Sequence, residues 1–133
     1  MESRQIREEY AEIAAKIIEE EPLLTDIANS QATIVYLGSD NPKTGKGKTI
    51  FAECEKVADK NKWAIPCDFT ITVFEPNTVA FTPEQMRILL FHELLHVGIE
   101  FTEDGQEKYS IRPHDYEDFK EIIDRYGTEW SET

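Results

Sequence analysis

Cysteine is nearly absent from this chain of 133 residues: Cys54 and Cys67 are the only two. That is too few for a disulfide framework. No apolar run approaches the roughly 18–20 residues that cross a bilayer, which excludes a membrane-spanning helix. The opening residues MESRQIREEY contain no apolar signal core. Export by that route is therefore not expected, and both thiols are expected reduced in a cytoplasm. Positive charge is also scarce, with 14 Lys plus Arg against 27 Asp plus Glu and a net charge of −13. Broad binding to nucleic acid needs a basic footprint and is not expected, and the same charge repels anionic membranes. Repeats and low-complexity tracts are missing. The length suits one domain, residues 1–133, and 40% hydrophobic residues suffice for its core.

The segments that are present read as α+β. From Arg4 to Glu20, apolar residues recur at three- and four-residue steps (Ile6, Tyr10, Ile13, Ala14, Ile17, Ile18), which predicts an amphipathic helix. Pro22 stops it. Thr33–Leu37, Thr49–Val57 and Asp68–Glu75 read as strands of a small three-stranded sheet, with turn residues 38–42 closing the first. The last strand alternates Phe69, Ile71 and Val73 against Thr70, Thr72 and Phe74. Lys43, Lys46 and Lys48 with Gly45 and Gly47 form one basic patch. It lacks a Walker frame and reads as a solvated turn between strands, with no functional role assigned.

Thr82-Pro83-Glu84-Gln85 combines a capping residue, proline at the first helical position and the return partner of a capping box. A helix is predicted from Pro83 to about Val97, with Gly98 as its stop. Glu100–Arg112 reads as a loop. Pro113-His114-Asp115 opens a final helix to Tyr126, apolar at Phe119, Ile122, Ile123 and Tyr126.

Histidine is rare too, and its placement is informative. Two of the three histidines stand in His92-Glu93-Leu94-Leu95-His96; the third is His114. Residues four apart share a helix face, so His92 and His96 can offer two imidazole nitrogens to one zinc ion. Glu93 is rotated about 100° away and suits a general base that takes a proton from water activated by the metal. From this composition such a string arises by chance about once in a hundred chains, so the pattern has false positives. Its surroundings, Ile88–Phe91 and Leu94-Leu95, are apolar, which makes the helix central. Burying two imidazoles there without partners is costly.

A third ligand is needed. The HExxHxxGxxH plan would require glycine and histidine where Ile99 and Thr102 stand, so it is excluded. His114 leads the candidates, and a carboxylate from Asp115, Glu117 or Asp118 is the alternative. Asp115 could instead cap its helix or orient a histidine. An oxyanion donor could come from Tyr109, Arg112 or Tyr116, and the residues do not choose among them. The strand Phe69–Phe74 could bind an extended peptide by strand addition.

Residues 88–98, followed by Arg112-Pro113-His114-Asp115 and Asp118-Phe119, resemble the phage metallopeptidase family. Glu53–Val57 and Asp68–Glu75 are similar to that family as well, so the likeness runs from about Gly45 to Tyr126. More distantly the arrangement is similar to SprT-like zinc proteases, whose DNA-binding elements have no counterpart here. The resemblance implies a minimal zincin-like domain: an N-terminal helix, a small sheet, the central HExxH helix and a C-terminal helix. It implies zinc on His92, His96 and His114, Glu93 as base, and a peptide or protein substrate, in a host cytoplasm if the chain is phage-encoded. The competing expectation is a non-catalytic, acidic, zinc-binding phage protein that binds and inhibits a host factor. A structural zinc does not require Glu93 and is usually closed by four ligands, often cysteines. Cys54 and Cys67 lie far from the motif in sequence and read as buried small hydrophobes. Oligomeric state is not readable.

Overall fold

The computed structural model describes residues 3–112. The C-terminal helix expected over Pro113–Tyr126, with His114, Asp115 and Tyr116, lies outside the described residues.

The order is β1 (Arg4–Ile6), α1 (Glu8–Glu20), α2 (Thr25–Ala28), β2 (Ile34–Ser39), β3 (Lys43–Gly45), β4 (Lys48–Ile50), β5 (Ala52–Lys56), β6 (Phe69–Phe74), α3 (Pro83–Leu94), β7 (Val97–Phe101) and β8 (Glu107–Ile111). The α+β class holds, but the main sheet has four strands in the order β1-β2-β6-β5, and β3-β4 and β7-β8 form two separate hairpins. The main sheet is mixed. β2 and β6 run parallel from Ile34↔Phe69 to Ser39↔Phe74, while β1 and β5 pair antiparallel. No described helix is long and apolar enough to cross a membrane.

Several boundaries move for identifiable reasons. The first three residues of the predicted N-terminal helix form β1, because Arg4, Gln5 and Ile6 pair with Ser39, Gly38 and Leu37. That pairing extends β2 through Gly38 and Ser39, which were expected in a turn. The strand expected over Thr49–Val57 breaks at Phe51, whose carbonyl accepts from Phe74 N–H at 2.9 Å and whose ring lies 5.0 Å from that of Phe81. The basic patch is the β3-β4 hairpin. Lys46 and Gly47 both take positive φ, 52° and 75°, as a two-residue hairpin turn that follows strand twist requires.

α1 buries Tyr10, Ala14 and Ile17 against the sheet, the face its periodicity predicts. β6 is the central strand, and both of its faces are covered: Thr72 and Phe74 are buried as well as Phe69, Ile71 and Val73. Arg4 and Lys43 cover them. The Arg4 guanidinium lies 5.9 Å and the Lys43 ammonium 5.3 Å from the Phe74 ring centroid, and Arg4 donates to Thr72 Oγ1 at 3.1 Å. The long charged side chains cover the apolar ring with their stems and keep their charges near acid. Because β6 is paired on both edges, it cannot accept a peptide strand. The edge strand beside it is β5.

Candidate metal centre

α3 begins as its sequence dictates. Thr82 Oγ1 accepts from Gln85 N–H at 3.2 Å, and Gln85 Oε1 accepts from Thr82 N–H at 2.8 Å. Thr82, Pro83 and Gln85 thus satisfy donors that every helix start leaves open. The helix then buries Ile88, Leu89, Leu90, Phe91 and Leu94, residues that go right round its axis, as a helix enclosed by the core must.

Its other end departs from expectation. α3 stops at Leu94 with Leu95 as C-cap, short of the predicted Val97. Gly98 is therefore not a helix terminator; it lies inside β7. The expected loop over Glu100–Arg112 is mostly a hairpin, with β7 and β8 in register from Val97↔Ile111 to Phe101↔Glu107. The β-branched and aromatic residues around Gly98 gain a partner strand there.

His92 and Glu93 thus lie in the last turn of α3, and His96 lies just past it. His96 N–H donates to Glu93 O at 3.0 Å, so the chain tightens as it leaves the helix. The ligand atoms of His92, Glu93 and His96 all lie within 4.8 Å of one another, and the two imidazole centroids are 5.5 Å apart. Glu93 and His96 are buried. Burial pushes the Glu93 carboxyl up to about 8, and the charge of Glu53 adds to it.

These residues fit a metal ion. Arg112 O lies 2.7 Å from His96 Nδ1. A carbonyl only accepts, so Nδ1 carries the proton and Nε2 is the nitrogen that would ligate a metal. Metal-binding histidines are commonly oriented by such a partner. A buried carboxyl held above its ordinary range also marks a place where a cation would be favourable.

The remaining candidates separate. Arg112 reaches the site through its main chain, since its N–H donates to His96 O at 2.6 Å as its carbonyl meets the ring. Tyr109 is turned elsewhere: its hydroxyl donates to Glu107 at 2.6 Å and its ring meets Phe69 edge-on. His114, Asp115 and Tyr116 lie outside the described residues. Cys54 and Cys67 are free thiols, Cys67 buried. Burial pushes the Cys54 thiol up to about 12, with the charge of Glu93 next in effect. Sequence reading assigned the Lys43–Lys48 patch no partner; Lys43 Nζ pairs with Glu53 at 2.6 Å. It also missed the Arg112 carbonyl and Glu53. No local signal announces a main-chain acceptor, but Asp104-Gly105 between Ile99–Phe101 and Lys108–Ile111 is a hairpin signal that would have brought Arg112 back to His96.

Neither the curated proteins nor the solved structures return a match to this chain. One family model does match, described as "Putative phage metallopeptidase", and it spans residues 3–133. With nearly the whole chain covered and a His-Glu-His cluster able to hold a metal, the chain belongs to this phage metallopeptidase family.

Proposed function

We propose that the chain is a zinc-dependent peptidase, a single domain over residues 1–133 acting in a cytoplasm. The observation that carries this reading is the cluster of half-buried His92 with buried Glu93 and His96, and the His96 Nδ1 contact with the Arg112 carbonyl.

His92 and His96 would hold the metal, and His114 would be the third ligand. Only Pro113 separates His114 from Arg112, a span of at most about 7 Å, so a contact at His96 keeps His114 within reach. Zinc, when bound, supplies a Lewis acid that activates water and polarises the scissile carbonyl. Glu93 accepts the proton of the attacking water and returns it to the leaving amine. The Arg112 carbonyl holds the His96 ring in one tautomer. Leu90, Leu94 and Leu95, all fully buried, give this end of α3 an apolar setting. An extended peptide would pair along the outer edge of β5, the edge strand that packs against α3.

The test is hydrolysis of a denatured-protein or peptide-library substrate by wild type and Glu93→Gln. The expected result is unchanged metal content with a rate lower by about 10²–10⁴. Equal rates would remove Glu93 as the base. Zinc binding without hydrolysis of any substrate by the wild type would favour the acidic, non-catalytic binder of a host protein.

A further inference from the structure

The geometry points to Gly98 as a positioning residue for His96, an inference that rests on the metal reading above only in its zinc-binding arm. His96 lies beyond the end of α3, so helical hydrogen bonding does not fix its ring. Arg112 does: its N–H donates to His96 O at 2.6 Å and its carbonyl lies 2.7 Å from His96 Nδ1. Arg112 directly follows β8, and the place of β8 is set by its register with β7, Val97↔Ile111 and Gly98↔Ser110.

At that register the strands meet with no room to spare. A Cβ on residue 98 would lie 2.5 Å from Ser110 Oγ and 2.9 Å from Ser110 O. The hydroxyl could turn away, but the carbonyl belongs to the backbone two residues before Arg112. Moving it moves the group that holds His96. Conformational need does not explain this glycine, because the described glycines with positive φ are Gly47 and Gly105. A glycine inside a strand weakens it and often marks close backbone approach. Here the close approach brings the Arg112 carbonyl onto the imidazole and commits Nδ1 as donor, so that Nε2 is the nitrogen a metal would take.

The test reads the His96 ring in metal-free protein by long-range proton–nitrogen correlation spectra, at a mildly alkaline pH where imidazole is neutral. Wild type is expected to carry the proton on Nδ1. Gly98→Ala is expected to stay folded by circular dichroism, to shift population towards the Nε2–H tautomer, and to bind zinc about 10–100-fold more weakly against a chromophoric chelator. Adding Ser110→Gly removes the nearer clash and should restore part of both. A purely structural glycine would lower the melting temperature and leave the tautomer alone, and that result overturns the proposal. So does a wild-type His96 protonated on Nε2, a reading that needs no variant to fold. The expected tautomer shift without zinc uptake by either protein would uphold Gly98 and overturn the metal reading instead.

Discussion

The two ends of α3 are built by different means. Its N-terminal end is made by neighbours in sequence: Thr82, Pro83 and Gln85 close a capping box within four residues. Its C-terminal end is made by Arg112, which meets His96 from 16 residues away. The first end is stability chemistry, satisfying backbone donors that any helix leaves open. The second end carries His92, Glu93 and His96. Local chemistry starts the helix, and a non-local contact shapes the part that would do the work.

That contrast can be broken at either end. The largest effect is expected just past the described chain: His114→Ala should cost zinc affinity beyond the roughly 10–100-fold typical of losing a group behind a ligand. Competition with a chelator measures it, and unchanged affinity would hand the third position to Asp115, Glu117 or Asp118. Next comes the middle of α3, which serves both ends. Leu90 is fully buried, so Leu90→Ala should destabilise by about 2–5 kcal/mol in denaturant titration. Thr82→Ala should cost about 1 kcal/mol and leave zinc affinity unchanged. A loss of zinc affinity there would mean that the two ends are coupled. The smallest effect is expected at the hairpin patch. The Lys43–Glu53 pair is partly exposed, so Lys43→Met should change stability by less than about 1 kcal/mol.

The same contrast explains what the sequence could tell. The α1 face of Tyr10, Ala14 and Ile17, the β6 strand and the Thr82 box are each written in residues a few positions apart, and each was legible. The four-residue spacing of His92 and His96 brings their ligand atoms together with Glu93, but His96 falls just past the helix expected to carry both. The Gly98 stop was misread because glycine after an apolar helix is ordinarily a terminator, whereas here it admits Ser110 from across a hairpin. The alternation of β6 marks a strand but not what covers its second face, which Arg4 and Lys43 close from elements distant in sequence. Strand addition at β6 failed likewise, because pairing on both edges is a property of the sheet and not of the strand. Where an element's partner is remote in sequence, periodicity finds the element and misses its edge or its end.

The most direct test of the central claim is the zinc content of purified protein by elemental mass spectrometry, wild type beside His96→Ala. The account predicts about one zinc per chain in wild type and a large loss in the variant, with the fold retained. No metal in wild type even after zinc is offered, or equal zinc in both proteins, would contradict it.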